Sequence, residues 1–533
     1  MNLAVRLAER AGLHPDRPAL IEIHRGRRRV VSYGHLHELA AAFAGRLARA
    51  DINPGDRVVV FVPVSIALYA VILGIFHRGA TAVFVDPGLG RESIESAVRT
   101  AAPRAFAGIL RAHAFRLLSP ALRAVPHAFV VGRDPERIAR SGTVPSEPAQ
   151  LAGDAPALVT FTTGSTGRPK AVLRTHGFLW TQHEVLARHL AVSEGTVDLP
   201  TLPVFVLHDL AAGATAVIAD LDPRHPERAD AIPVASIVQT EGVTTLIASP
   251  ALADRIVRRS AQEGARFPVE HLYTGGAPID PPLARRLADA VAGRVMLLYG
   301  STEAEPIAEI DAEAMLAAHE GPDALAGGLC VGRPVAEIEV ALLAPDTEPD
   351  SDPSVDAEGA FAALRTPAGE PGEVAVTGPH VLPSYWKDPE SDRRFKITDG
   401  RRTWHRTGDG ARIDAAGRLW LLGRVKERIV RDHRTWWSLP VEQAARALPG
   451  VRHAAYFPLA GEGSAVHAVV VFEGDESFHA EWTLERVRDA VAPAPVDRVV
   501  RRTRIPRDPR HHSKTDLTRL RKEIAADPPR TDR

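Results

Sequence analysis

A single cysteine, Cys330, leaves this 533-residue chain with no internal disulfide and no cysteine-based metal cluster. A small buried apolar side chain is the reading left for it. A reducing compartment, the cytoplasm, is the expected home. Net charge is equally scarce, since 65 basic residues against 66 acidic ones give a formal value of -1, and no long-range field draws in nucleic acid or an anionic membrane. The opening MNLAVRLAERAGLHPDRP carries charges at every turn and lacks the apolar core of an export signal. No membrane span is expected either. The longest apolar run, Val58 to Phe76, is split at Pro63 and Ser65 into VVVFV and IALYAVILGIF, which predicts a buried strand leading into a buried helix. Lysine is the last scarcity: Lys170, Lys387, Lys396, Lys426, Lys514 and Lys522 are the only six among 65 basic residues. Arginine is the default cation here, so each lysine invites a question.

What is present is ordinary for a globular protein, with 45% hydrophobic and 25% charged residues over a length that exceeds one core, so two or more domains are expected. Through the first 300 or so residues, short apolar runs alternate with longer amphipathic stretches: VVVFV, ATAVFVDP, AFVVG, ALVTFTTGS, TAVIAD, TTLIASP and VMLLYGS. That rhythm predicts an α/β fold of largely parallel sheets covered by helices. From Cys330 to about Leu422 the runs shorten to IEVALL and GEVAVTG between prolines and glycines, which predicts a smaller antiparallel sheet. Within it, the acidic stretch Pro345 to Glu358 reads as a solvated loop. After Gly423 a third region has strand signals of its own, AAYFP and SAVHAVVVFEG, and from about Ile524 the tail is expected to be disordered. No internal repeat is visible.

The strongest local signal is Phe161-Thr162-Thr163-Gly164-Ser165-Thr166-Gly167-Arg168-Pro169-Lys170, directly after the strand-like ALVT. Glycines let the backbone approach a ligand, hydroxyls supply donors and Lys170 adds a compact charge, which together make a phosphate cradle. The Gly-x-x-x-x-Gly-Lys spacing of a Walker A loop is absent. An ordinary Ser/Thr/Gly turn is the plainer alternative.

This motif resembles the phosphate loop of the adenylate-forming superfamily, which holds acyl- and aryl-CoA synthetases, luciferases and peptide-synthetase adenylation domains. Further matches follow in order. Tyr299-Gly-Ser-Thr302-Glu303 is similar to the family's Tyr-Gly-x-Thr-Glu, in which the resemblance places Tyr299 on adenine, Thr302 at the α-phosphate and Glu303 on Mg²⁺. Upstream, Tyr273-Thr-Gly275-Gly276-Ala277-Pro278 resembles the turn beside the adenine. Trp404-His-Arg-Thr-Gly-Asp409 resembles the Thr-Gly-Asp motif, whose aspartate has the acceptor oxygens to hold both ribose hydroxyls. Gly417-Arg-Leu-Trp-Leu-Leu-Gly-Arg424 matches the strand delivering a nucleotide-contacting arginine, and Lys426 falls at the hinge between the large and small domains. Arg504-Ile-Pro-Arg-Asp-Pro-Arg-His-His-Ser-Lys514 is similar to the catalytic-lysine motif, in which Lys514 offsets charge as carboxylate and α-phosphate join. The resemblance implies an adenylating domain over residues 1–424, with 330–422 its β-rich part, and a small mobile α+β domain over 425–533. It also implies an enzyme that uses ATP and Mg²⁺ to turn an organic acid into an acyl adenylate with release of pyrophosphate.

Several positions depart from the CoA-using members. After Arg424 a glycine-containing stretch is replaced by Val-Lys-Glu-Arg-Ile-Val-Arg-Asp-His-Arg-Thr-Trp-Trp-Ser-Leu-Pro-Val-Glu442, with two tryptophans and no glycine, which puts CoA use in doubt. Around the acyl pocket, Leu202-Pro-Val-Phe205-Val206 has valine where relatives carry a gating histidine or aromatic, with His208 close by. These features, with Thr215-Ala-Val-Ile-Ala-Asp-Leu-Asp-Pro223, Ser249-Pro-Ala-Leu252, Gly328-Leu-Cys-Val-Gly-Arg-Pro334 and the Asp-Pro-Arg-His-His-Ser-Lys514 variant, resemble the olefin β-lactone synthetases. That branch activates a 2-alkyl-3-hydroxy acid, whose own hydroxyl displaces AMP and closes a β-lactone without an external acceptor. Three alternatives stand beside one another at this point: a CoA-independent lactone synthetase, a ligase that loads CoA or a separate carrier protein, and a catalytically idle nucleotide-binding scaffold. Intact Glu303, Asp409 and Lys514 weigh against the last.

Overall fold

A computed structural model describes residues 2–86, 90–139, 147–163, 169–221, 231–262, 264–345, 358–460, 466–474, 484–507 and 515–526. Gly164, Ser165, Thr166, Gly167 and Lys514 lie outside these residues, as does most of the acidic stretch between Pro345 and Glu358.

Two sheets dominate. In the first, His127–Val130, Ala105–Gly108, Arg57–Phe61, Thr81–Phe84 and Pro156–Thr163 run parallel in that order, and Pro169–Thr175 turns back antiparallel on the last. The second is larger. Pro18–His24, Thr215–Ile218, Val197–Pro200, Thr245–Ala248, His271–Gly275 and Arg294–Ser301 form its parallel half, with Arg27–Ser32 folded back on the outer edge. Each predicted run from VVVFV to VMLLYGS contributes residues to a strand.

The run Val58–Phe76 divides as its sequence implies. Arg57–Phe61 is a strand, and Ile66–Arg78 is a helix capped by the Ser65 hydroxyl at its start and closed by Gly79 in the left-handed region. Every residue from Ile66 to His77 is buried, because this helix and Tyr33–Arg49 lie between the two sheets. Val58, Val60 and Ala105 pack on them from one side and Leu20, Ala216 and Ile218 from the other. A helix surrounded by core has no polar face, which explains a run that otherwise reads like a membrane segment. Among the described residues, no helix is long and apolar enough to cross a membrane.

At Ser301 the direction of the large sheet changes. Ala304–Asp311 returns antiparallel on Arg294–Ser301, and Leu329–Pro334, Leu419–Arg424, Thr403–Ile413, Gly372–Thr377 and Glu339–Leu343 continue outward, each antiparallel to its neighbour. The antiparallel strands expected from Cys330 on are thus not a sheet of their own. They are hydrogen-bonded onto the parallel half through Ala308↔Pro334 and Glu309↔Arg333, because the tight return after Ser301 leaves an open edge for them.

Beyond a short turn at Val425–Glu427, Val451–Ala460, Val466–Gly474 and Arg498–Arg502 make a third sheet. Two core clusters, around Tyr456 and around Phe457, draw only on residues from Ile429 onward. Ile524 corrects the expectation of a disordered tail at that point: it is fully buried in helix Leu517–Ala526, packed with Leu520 and Phe457. The amphipathic spacing of Leu517, Leu520 and Ile524 supplies the reason.

A buried carboxylate pair anchors the helix expected to line the acyl pocket. Asp198 on Val197–Pro200 and Asp209 on Phe205–Ala212 are both fully buried. Burial holds both carboxyls well above the usual range, and each faces the other. Two such carboxylates do not both ionise, so they retain a proton. A folded-state pKa above the unfolded one means that the pair's stabilisation is complete below the ordinary aspartate value and is lost as pH rises toward the folded value. The melting temperature is therefore expected to fall as pH rises above the ordinary aspartate range, less steeply in the Asp198→Asn/Asp209→Asn double variant. Equal slopes in thermal melts of the two proteins would remove the pair as the cause.

Candidate active site

The motifs meet at the carboxyl ends of parallel strands, where open α/β sheets place their ligands. Pro156–Thr163 ends in the phosphate-loop segment, whose flanks stay registered by Thr162↔Lys170 and Thr163↔Pro169. His271–Gly275 ends in the Gly275-Gly276-Ala277 turn, and Arg294–Ser301 ends at Tyr299 and Thr302. Only glycine fits at position 275, because a Cβ there would lie 2.4 Å from the Leu298 carbonyl oxygen of the neighbouring strand.

Tyr299, Asp409 and Arg424 form one corner. Asp409 and Arg424 are cross-strand partners, and Arg424 Nε lies 3.1 Å from Asp409 Oδ1. The Tyr299 hydroxyl donates to the other oxygen, Oδ2, at 2.9 Å. Arg424 Nη1 also donates to the Thr407 carbonyl at 3.0 Å, while the Asp409 N–H donates to the Thr407 hydroxyl at 3.1 Å. Burial and the adjacent Asp409 carboxylate push the Tyr299 phenol well up, and the same carboxylate raises Arg424. Tyr299 stays a neutral donor and Arg424 a fixed cation. A carboxylate offers about four lone-pair sites, so Asp409 keeps acceptor capacity for a vicinal diol.

Glu303 forms the second corner and brings in residues that sequence reasoning missed. The Tyr385 hydroxyl donates to Glu303 Oε1 at 2.8 Å, and the backbone N–H of Leu382 donates to the Glu303 carbonyl at 2.7 Å. Lys396, buried on Lys396–Thr398, holds the Leu382 carbonyl through its ammonium. Lys170 and Lys396 both lie 5.3 Å from the centre of the Tyr385 ring, and Lys170 sits 3.4 Å from the centre of Phe395. Burial pushes each ammonium down to about 8, against the pull of Glu303. Burial also opposes ionisation of Glu303, but His405, the Tyr385 hydroxyl and Lys396 outweigh it and leave the carboxyl below its usual range. One signal for Lys396 was in the sequence: it is one of six lysines in a chain that defaults to arginine. Thr302 leaves its side chain exposed beside this cluster.

The three acyl-pocket candidates are buried on one helix but face different neighbours. Phe205 packs with Leu186, Ile247 and Tyr273, beneath the strand that carries the Gly275 turn. Val206 joins the core between the sheets. His208 meets His183, Nδ1 to Nδ1, at 2.9 Å. Burial pushes His208 down to about 3 and His183 to about 4, so both rings are neutral near pH 7, one donating and one accepting. Lys426 is exposed on the Val425–Glu427 turn.

Of the two tryptophans after Arg424, Trp437 packs against the strand that carries Asp409, and Trp436 packs with the core cluster around Tyr456. Trp437 is almost fully buried, and a Cβ on Gly410 would come within 2.0 Å of its Cζ3. The following helix, Ser438–Arg446, is pinned to the large sheet. Gln443 exchanges two 3.2 Å hydrogen bonds with the Gly328 backbone, and Arg446 pairs with Asp280 at 2.9 Å.

The strands that flank the hydroxyl-rich segment, a carboxylate corner and an acidic turn, gathered where parallel strands pass into an antiparallel extension, define an enzyme of the adenylate-forming class. The chain belongs to the AMP-binding enzymes, whose family model matches residues 7–386. Two curated relatives are named olefin β-lactone synthetase. That of Stenotrophomonas maltophilia is 33% identical over 88% of this chain and 87% of its own, and that of Xanthomonas campestris is 34% identical over 92% and 90%. Among solved structures, the amide bond synthetase McbA of Marinactinospora thermotolerans shares the fold, with a TM-score of 0.79 and 22% identity over 98% of this chain and 99% of that one. The chain is therefore an AMP-forming ligase that uses ATP and activates a carboxylic acid.

The Trp437 contact has a measurable consequence. Gly410→Ala is expected to cost about 1–3 kcal/mol through the clash with the indole. In a Trp437→Leu background the same change is expected to cost less, giving a coupling of at least about 0.5 kcal/mol in a double-mutant cycle. Urea denaturation of the four proteins measures it, and strictly additive energies would mean that the ring does not lie on Gly410.

Proposed function

We propose that this ligase activates a 2-alkyl-3-hydroxy acid and closes it to a β-lactone without CoA. The observation that carries the reading is the match to two β-lactone synthetases along about nine-tenths of the chain. Trp437, in the glycine-free segment after Arg424 and packed on Gly410, supports it.

In the first step a carboxylate oxygen attacks the α-phosphorus of ATP and pyrophosphate leaves. Thr162 to Gly167 and Lys170 hold the phosphates, Thr302 meets the α-phosphate and Lys514 offsets the charge that develops there. Tyr299, with Gly275, Gly276 and Ala277, bounds the adenine, while Asp409 takes the ribose hydroxyls and Arg424 fixes Asp409. Glu303 would hold Mg²⁺. Among the described residues no cluster of three acidic or histidine side chains competes with it, and one carboxylate completed by phosphate oxygens and water is an ordinary magnesium site. The bound ion supplies charge neutralisation for the departing pyrophosphate.

In the second step the 3-hydroxyl oxygen attacks the acyl carbon, its proton is released, and the bond from that carbon to the phosphate-bound oxygen breaks, so AMP departs with an oxygen that came from the acid. Phe205, Val206 and His208 are assigned to the acyl side. Residues 1–424 and 425–533 act as two domains that rotate about Lys426 between the steps, in a cytoplasmic enzyme.

Incubation with ATP, Mg²⁺ and a 3-hydroxy acid is expected to give AMP and a product one water lighter than the acid with no CoA present. An acid lacking the hydroxyl is expected to stall as its adenylate. Release of AMP only when CoA is added, with a thioester as product, would overturn the lactone reading. Lys514→Ala is expected to slow pyrophosphate release by at least about 100-fold in a folded protein. A near wild-type rate would remove Lys514 from the chemistry.

A further inference from the structure

Arg174 is a buried cation with an unusual set of partners. It lies on Pro169–Thr175, the strand that leaves the phosphate loop, and its side chain is 6% exposed. Nη1 donates to the Thr160 hydroxyl at 3.0 Å on the strand that enters the loop, and Nη2 donates to the Thr302 carbonyl at 2.9 Å on the other sheet. Its Nε is buried without a hydrogen-bond partner among the described residues, and Glu305 and Glu303, whose carboxylates offset part of its charge, make no direct ion pair with it. Burying a guanidinium without an ion pair is costly, so a packing role satisfied by an apolar residue is a poor account of it.

The two bonds explain the placement. One fork spans the hairpin that carries the phosphate loop and the turn that carries Thr302 and Glu303, which belong to different sheets. The turn is held from several sides along its backbone: Arg174 takes the Thr302 carbonyl, Leu382 N–H takes the Glu303 carbonyl, and Ser301 Oγ accepts from the Glu303 N–H at 3.3 Å. With its carbonyl fixed, Thr302 presents an exposed side chain to the site. A rigid planar fork reaches two acceptors at once, which an ammonium on a flexible stem does not reproduce.

We propose that Arg174 is a positioning residue for adenylate formation: it sets the distance between the strands Pro156–Thr163 and Pro169–Thr175, which flank the phosphate-loop segment, and the Thr302–Glu303 turn. This rests on the assignment of Thr302 and Glu303 to the phosphate side of the nucleotide. Arg174→Met is expected to lower kcat for pyrophosphate release at least about 20-fold, since misplaced groups forfeit orientation more than binding. Its Kd for AMP, read by calorimetry, is expected to stay within about twofold because the adenine and ribose groups are untouched. Arg174→Lys is expected to recover little of the rate, and Thr160→Val to lose about three- to tenfold with AMP binding unchanged.

A wild-type kcat in Arg174→Met, or full recovery in Arg174→Lys, would overturn the tether. So would a loss of rate matched by an equal loss of AMP affinity and a lowered melting temperature, which is the signature of a merely structural role. Glu303→Gln separates the two readings. If it too keeps full activity, the assignment of the turn fails. If it is inactive while Arg174→Met is not, only the tether fails.

Discussion

The carboxylate of Asp409 is shared by two halves of a sheet that run in different senses. Tyr299 donates to one of its oxygens from the last parallel strand, and Arg424 engages the other from the antiparallel extension. Because Asp409 and Arg424 are registered cross-strand, the carboxylate cannot move without disturbing a ladder, and Tyr299 fixes that ladder to the parallel half. The site inherits its geometry from this constraint. The turn after Tyr299 carries Thr302 and Glu303, and Gly410, next to Asp409 on the same strand, lies against the indole of Trp437.

Electrostatics around Glu303 follow the same economy. Three groups that contact or approach the Tyr385 ring and hydroxyl, namely Lys170, Lys396 and Glu303, sit in an environment that works against charge, and they stay charged near neutral pH because each has an opposite neighbour. On the proposed reading, a preorganised set of this kind supplies fixed charge to the triphosphate, with little rearrangement at the moment of reaction. Arg174, on the same strand as Lys170, engages backbone and hydroxyl acceptors nearby.

Much of this was legible in the residues. Parallel strands announced themselves as short β-branched runs, and the fully buried helix Ile66–Arg78 was separated from a membrane span by Pro63 and Ser65 alone. Motifs in chain order located Tyr299, Glu303, Asp409 and Arg424, three of which the structure joins directly. What stayed hidden was pairing at a distance. Nothing local says that Leu329–Pro334 will extend the large sheet instead of starting a new one, since that depends on an edge left open by Ala304–Asp311. Tyr385 and Lys396 were hidden for a related reason: their role comes from the return of a loop to Glu303, which sequence spacing does not encode. Ile524 was misplaced because a charged helix with a narrow apolar stripe resembles a disordered tail in composition.

In the proposed reaction an acid oxygen becomes bonded to phosphorus before the ring closes. An acid labelled with ¹⁸O in both carboxylate positions tests it directly, by mass analysis of AMP and product after complete turnover. One ¹⁸O is expected in each AMP and one in each lactone carbonyl, with the ring oxygen unlabelled because it comes from the 3-hydroxyl. Unlabelled AMP alongside a product that keeps both labelled oxygens would contradict an acyl adenylate, and with it the mechanism.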